Sequence, residues 1–151
     1  MNVTTNNDQT DLEINLMALP DVVSETLRLE GVKADEVSIN FVDEETICAL
    51  HGRFFNDPSF TDCISLPLNN NSSDYVLLGE IFVCPLAAVG YTMESGGDPY
   101  EEVLLYVIHG LLHLMGYDDI EDEESRKMRQ AERRHLENLK SLKLSLSIYN
   151  S

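Results

Sequence analysis

The chain has 151 residues, 43% of them hydrophobic, and its 27 acidic and 10 basic side chains give a formal net charge of −17. A chain of this length can bury one hydrophobic core, so we expect a single domain over residues 1–151. The strong negative charge repels polyanions at long range, which argues against a general nucleic-acid coating protein.

The first half of the chain predicts strands and helices in alternation. Residues 1–8 are polar and lack the basic and apolar regions of a secretory signal, so we expect a cytoplasmic protein. Residues 12–17 alternate apolar and polar side chains, as a half-buried strand does, and a helix is predicted over residues 20–31. Residues 37–42 alternate again, and Asp43 is placed to cap a second helix.

The second half predicts two strands, a polar loop and then helices. The strands cover residues 61–68 and 75–84, the loop covers 69–74, and the helices run from Pro85 to a break at 95–99, through the apolar stretch 103–115, and from about 120 to 139. The apolar stretch is too short to span a bilayer. This order predicts an α+β fold in which helices cover a small mixed sheet.

Two histidines four residues apart define the candidate site. On a helix, His109 and His113 lie on one face, about 6 Å apart along the axis, so both imidazoles can bind one metal ion. The same spacing also arises by chance. However, Gly116 and Asp119 follow at the positions of the metzincin pattern, His-x-x-x-His-x-x-Gly-x-x-(third ligand). We therefore predict a metzincin-like metal-binding helix with His109, His113 and Asp119 as ligands.

The number of predicted protein ligands favours a hydrolytic metal site over a structural one. Three protein ligands leave a fourth coordination position for water, and a divalent ion lowers the pKa of that water toward neutrality. Zinc peptidases place a glutamate directly after the first histidine as general base, whereas this chain has Gly110 there. A peptidase mechanism is therefore disfavoured.

The residues around the histidine pair resemble the signature of the YbeY endoribonucleases. Residues 109–118 read His-Gly-Leu-Leu-His-Leu-Met-Gly-Tyr-Asp, similar to that family's His-Gly-x-Leu-His-Leu-x-Gly-Tyr-Asp-His. Residues 61–67, Thr-Asp-Cys-Ile-Ser-Leu-Pro, and residues 78–81, Leu-Gly-Glu-Ile, are similar to its Thr-Asp-Val-Leu-Ser-Phe-Pro and Leu-Gly-Asp-Ile. The resemblance covers roughly residues 35–140.

This resemblance implies both a fold and an activity. The implied fold is a mixed four-stranded sheet packed with helices, and the implied cofactor is one zinc ion. The implied activity is cleavage of single-stranded or ribosomal RNA in ribosomal RNA maturation and ribosome quality control. The implied partners include ribosomal proteins of the small subunit.

Two positions depart from the family pattern. Asp119 replaces the family's third metal histidine; a carboxylate binds zinc at a similar distance, but it lowers the net charge of the site and should make a bound water a weaker acid. The arginine to which the family's catalysis is attributed, six residues before Thr61 and Asp62, is Phe55 here. Arg53, two residues earlier, either reaches a phosphate or is a solvated surface residue. We assign no catalytic residue.

Five other polar residues have weaker interpretations. Glu80 is either a general base or partner of a metal ligand, or a solvent-facing residue of an alternating strand. Asp62 is expected to hydrogen-bond a turn, and Asp118 to orient a ligand histidine. His51 and His135 have no ligand spacing, so we expect them at the surface.

The expected function is a metal-dependent single-strand endoribonuclease, and two alternatives stay open. A His-His-Asp set also forms the facial triad of non-haem iron oxygenases. A changed third ligand is also compatible with a non-enzymatic ribosome assembly factor. Metal content and the response of RNA cleavage to chelators distinguish the three.

Overall fold

The computed structural model describes residues 1–68 and 74–149. Over these ranges it contains four strands, five α-helices and one 3-10 helix. The strands are β1 (Asn2–Asp8), β2 (Glu36–Val42), β3 (Cys63–Pro67) and β4 (Leu77–Val83). The helices are α1 (Leu19–Glu30), α2 (Glu44–Phe55), α3 (Pro85–Ser95), α4 (Pro99–Leu114) and α5 (Asp122–Ser141), and the 3-10 helix is Leu16–Ala18. Along the described chain, none of the helices has both the length and the hydrophobicity needed to cross a bilayer.

The four strands form one mixed sheet. Their spatial order is β1-β2-β4-β3; β1, β2 and β4 run parallel, and β3 runs antiparallel to β4. Ile39 of β2 and Ile81 of β4 are fully buried, as expected for the two central strands. The prediction of an α+β fold with a four-stranded mixed sheet packed by helices is confirmed.

The first strand lies earlier in the chain than predicted. The structure has no strand at residues 12–17; it places β1 at Asn2–Asp8, at the edge of the sheet, where it pairs with β2 along its whole length. An edge strand is held by backbone hydrogen bonds and tolerates polar side chains, so β1 carries no alternating apolar signal. The alternation at residues 12–17 has another cause. Ile14 lies in an irregular segment, and its side chain is buried in the core. The prediction of a strand at 12–17 was wrong.

Local signals place the helix ends correctly. Helix α1 ends before Gly31, whose φ of 66° is the left-handed conformation that favours glycine. The side chain of Asp43 accepts a hydrogen bond of 2.9 Å from the backbone N–H of Thr46 and caps α2. The break between α3 and α4 falls where it was predicted. Of the predicted loop at 69–74, all but Asp74 lies outside the described residues.

Helix α4 packs directly on the sheet and contacts β3, β4, α3 and α5. A methyl group on Gly110 would come within 2.8 Å of Cγ2 of Ile81, so only glycine permits this close approach. Leu111 and Leu112, the next two residues, are fully buried. The glycine contact therefore sets how near α4 lies to the sheet, and with it the height of His109 and His113.

The other face of the sheet is only partly covered. Helix α2 packs there on a small apolar cluster that includes Ile47, Ile64 and Cys84. The remaining area is polar and includes Glu80, because alternation along β4 points Ile81 toward α4 and Glu80 away from it. The side chain of Glu80 faces away from the histidines. The structure therefore fits the interpretation of Glu80 as a solvent-facing residue of the strand.

Candidate metal centre

Asp119 comes back to the two histidines after the end of helix α4. His109 and His113 lie one turn apart on that helix, with ring centroids separated by 4.6 Å. After the helix, Gly116 adopts a φ of 104° and reverses the chain. The carboxylate of Asp119 then lies between the two rings, with one oxygen 3.7 Å from Nε2 of His109 and the other 3.7 Å from Nε2 of His113.

The three side chains have the spacing of metal ligands. Their donor atoms all lie within 4.8 Å of one another. Ligands bound at about 2.1 Å to a tetrahedral zinc ion are about 3.4 Å apart, close to the observed separations. Two imidazole nitrogens and one carboxylate oxygen are also ordinary zinc donors. The residues present therefore fit a divalent ion with one further coordination position.

Both imidazoles are held so that Nε2 faces Asp119. Nδ1 of His113 lies 3.0 Å from the carbonyl oxygen of Tyr117, which can only accept, so Nδ1 carries the proton and donates it. Nδ1 of His109 donates to Oε2 of Glu132 at 2.6 Å. Hydrogen bonds of this kind fix the tautomer and the ring orientation of a metal ligand.

Glu132 is the buried acceptor behind His109. It lies on α5 and is only 4% exposed. Burial raises the pKa of Glu132, but hydrogen bonds from His109 and Arg129 outweigh burial and hold the pKa below its ordinary range. Nη1 of Arg129 donates to both carboxylate oxygens, at 2.8 and 3.0 Å. The carboxylate therefore stays ionised and keeps the proton on Nδ1 of His109.

Two cavities flank the histidines. The first is lined by Asp62, Leu105, Tyr106, His109, Asp119, Arg129 and Glu132. The second, of about 300 Å³, is lined by His51, Phe55, Cys63, Ile64, Ser65, His109 and His113. His109 lies between the two.

Two expectations about the neighbouring residues change. Asp118 does not orient a histidine: its Oδ1 accepts the backbone N–H of Asp119 at 2.8 Å. His135 is not at the surface but 1% exposed, with Nε2 2.6 Å from Oε2 of Glu30. His51 is partly buried and lines the second cavity, with Nδ1 2.9 Å from the carbonyl oxygen of Ser59.

The position of Arg53 shows which of its two interpretations fits the structure. Arg53 is exposed, its guanidinium lies 5.3 Å from the centre of the Phe54 ring, and it lines neither cavity. Phe55, at the position where the family pattern has arginine, does line the second cavity. The structure therefore fits the interpretation of Arg53 as a surface residue.

The sequence placed Glu132 in a segment similar to the family's final helix, but neither Glu132 nor Arg129 was predicted to belong to the site. A signal for Glu132 exists, since it lies on the same face of α5 as the buried Met128, Ala131 and His135. A carboxylate on the buried face of an amphipathic helix requires a partner, because burial of an unpaired charge costs free energy. The sequence does not say which residue that partner is.

Fold and site together define an α+β protein whose central helix and following turn present a His-His-Asp cluster suited to a divalent ion. The family model described as Endoribonuclease YbeY matches residues 3–140. The chain therefore belongs to the YbeY endoribonuclease family.

Individual relatives agree with this assignment. An Endoribonuclease YbeY of Protochlamydia amoebophila is 49% identical over 143 residues, covering 94% of this chain and 95% of that protein. An Endoribonuclease YbeY of Chlamydia caviae is 40% identical over 139 residues, covering 89% and 88%. The solution structure of TM1509 from Thermotoga maritima superimposes with a TM-score of 0.66 at 28% identity, covering 91% of this chain and 88% of the other.

Proposed function

We propose that this protein is a metal-dependent endoribonuclease that cleaves single-stranded RNA, with one zinc ion bound by His109, His113 and Asp119. The endoribonuclease role is supported by the family and by the names of its relatives. The observation that carries the metal dependence is that Nε2 of both histidines faces the same carboxylate, each at 3.7 Å. We place the activity in ribosomal RNA maturation and ribosome quality control, in the cytoplasm.

The residues around the site have separable roles in this proposal. Zinc, when bound, supplies Lewis acidity toward water and a phosphate oxygen. Glu132 and the Tyr117 carbonyl keep the protons on Nδ1 of the two histidines, so neither ring has to reorient. Arg129 neutralises Glu132 and brings positive charge to the cavity that Asp62 and Asp119 also line. No side chain is assigned as general base.

The overall charge sets the expected mode of RNA binding. A protein of net charge −17 repels a polyanion at long range, so we expect its own affinity for RNA to be weak. We therefore propose that a ribosomal protein of the small subunit positions the substrate, and that contacts of this chain with phosphate are few and lie near the metal.

Asp119 is the ligand to test, because it is the departure from the family signature. We expect wild type to bind one zinc ion, Asp119→Ala to lose zinc affinity about 10-fold or more, and Asp119→His to retain zinc. Zinc content and affinity are measured by elemental analysis and chelator competition, and cleavage is followed on labelled single-stranded RNA. Glu80→Gln, on the other face of the sheet, is the control and should match wild type.

Each possible outcome tests a different part of the proposed function. Equal zinc affinity in all the variants removes Asp119 from the site. Cleavage that is unaffected by His109→Ala and by chelators rejects metal dependence. Absence of cleavage by zinc-loaded wild type favours a non-enzymatic assembly factor. Iron in the purified protein, together with oxygen-dependent turnover, makes the site a facial triad instead.

A further inference from the structure

Phe55 is an apolar side chain exposed beside the candidate metal centre. The residue is 53% exposed, and it lines the same cavity as His109 and His113. About half of its apolar surface is therefore not buried by the packing of the fold. The side chain is instead available to whatever enters the cavity.

Neighbouring contacts hold Phe55 in place. It is the last residue of α2, and Asn56 ends the helix in the left-handed conformation with a φ of 57°. The His51 ring, one turn earlier, lies 5.6 Å from the Phe55 ring between centroids, and is itself bonded to the carbonyl oxygen of Ser59. The His51 ring therefore contacts Phe55, whose remaining surface is partly exposed.

The side chains that line this cavity indicate which kind of interaction with RNA is available there. Among the residues that the structure describes, none that lines this cavity is Lys or Arg. The protein as a whole repels a polyanion. Stacking of an aromatic ring on a nucleobase needs no positive charge and strengthens binding about 5- to 150-fold per base. It is thus the interaction by which an acidic protein can hold RNA at this position.

We propose that Phe55 stacks on an unpaired nucleobase of the RNA strand that reaches the metal centre, and so makes the site selective for single strands. The inference rests on the proposed function, since it takes RNA as the ligand of the cleft. In a duplex both faces of each base are covered by stacking, whereas unpaired bases can splay out onto an aromatic side chain. Phe55 therefore favours single-stranded RNA without reading its sequence.

Binding is measured with the metal-free protein, so that cleavage does not interfere. The probes are a fluorescent 12-nucleotide oligoadenylate and an abasic oligonucleotide of the same length and charge. The variants are Phe55→Leu, which removes the ring, and Phe55→Trp, which keeps an aromatic surface. Phe54→Leu is the matched control, because Phe54 is also exposed, at 47%, but does not line the cavity.

We expect Phe55→Leu to weaken oligoadenylate binding at least about fivefold and to leave binding of the abasic probe unchanged. Phe55→Trp should bind as tightly as wild type, and Phe54→Leu should match it. With 2-aminopurine in the RNA, wild type should quench the fluorescence of the stacked base and Phe55→Leu should not. Circular dichroism, together with the zinc content measured before the metal is removed, confirms that each variant is folded with an intact site.

Different outcomes would contradict the stacking of Phe55 on a base and the proposed endoribonuclease function. Equal affinity of wild type and Phe55→Leu for oligoadenylate overturns stacking, even if wild type cleaves RNA. An equal loss of affinity for the abasic probe also overturns it. A base-dependent loss in a protein that never cleaves RNA supports stacking and rejects the endonuclease. Absence of any RNA binding by wild type overturns stacking, and the cleavage assay with zinc-loaded wild type then tests the proposed function separately.

Discussion

Oε2 of Glu132 lies 2.6 Å from Nδ1 of His109, and this contact joins helix α5 to the candidate metal centre on α4. The two residues are 23 positions apart in the sequence. The carboxylate is ionised and largely buried, so it holds the proton on Nδ1 of His109. The direction in which Nε2 of His109 points is therefore set by a helix that supplies no predicted ligand.

Removal of this carboxylate should weaken metal binding. We expect Glu132→Ala to lower zinc affinity about 10- to 100-fold, because His109 loses the acceptor that fixes its tautomer, and Glu132→Gln to have a smaller effect. Competition with a chromophoric zinc chelator measures both. Glu123→Ala, an exposed glutamate paired with Arg126 on the same helix, is the control and should bind zinc like wild type. Wild-type affinity in Glu132→Ala would show that His109 is oriented without α5.

The free energy of unfolding should depend on pH through Glu30. Its carboxylate accepts hydrogen bonds from Tyr117, Arg134 and His135. Burial raises the pKa of Glu30, but these bonds outweigh burial and lower the pKa from its ordinary value. A carboxyl with a lowered folded-state pKa stabilises the protein above the unfolded-state pKa, about 4.3, and loses this contribution as pH falls through the folded-state pKa.

Urea unfolding between pH 7 and pH 3 tests this expectation. The free energy of unfolding should decrease below about pH 4 in wild type and decrease less steeply in Glu30→Gln. Glu137→Gln changes an exposed glutamate of the neighbouring α5 surface and should follow wild type. Parallel curves for wild type and Glu30→Gln would contradict the role of Glu30.

The close packing of α4 on the sheet should not tolerate a side chain at Gly110. Gly110→Ala places a methyl group within 2.8 Å of Ile81 Cγ2, and we expect it to cost about 1 to 3 kcal/mol of stability. Gly90→Ala is the matched control, because Gly90 is also helical but its methyl group would meet no atom within 4 Å. That substitution should be neutral or stabilise by up to about 1 kcal/mol. Thermal unfolding measures both, and equal behaviour of the two variants would contradict the contact.

Much of the site could be predicted because its ligands are local. His109 and His113 are four residues apart on one helix, and Asp119 follows His113 by six residues, so their spacing depends on a single stretch of chain. Whether these residues bind zinc stays a prediction. The hydrogen-bond partners of the two rings could be predicted less well. The Tyr117 carbonyl lies within the same stretch, but Glu132 and Arg129 come from another helix.

Errors in the fold prediction have the same physical origin. Strand β1 is held by pairing with β2, far away in the sequence, and the polar side chains of an edge strand leave no pattern in the chain itself. His135 lies in a highly charged helix, yet it is buried because Glu30, 105 residues away, accepts its hydrogen bond. Burial of a polar side chain depends on such distant partners, which composition does not reveal.

The sequence by itself determined the helix ends, the spacing of the histidines and the similarity to the YbeY signature. Each of these depends on residues within a few positions of one another: Asp43 caps the turn that follows it, and Gly31 ends the helix before it. Only the tertiary structure decided that Glu132 orients His109 and that Phe55, rather than Arg53, lies beside the candidate metal ligands. The reason is that helices α2, α4 and α5 meet only through packing around the sheet, and packing is a property of the whole chain.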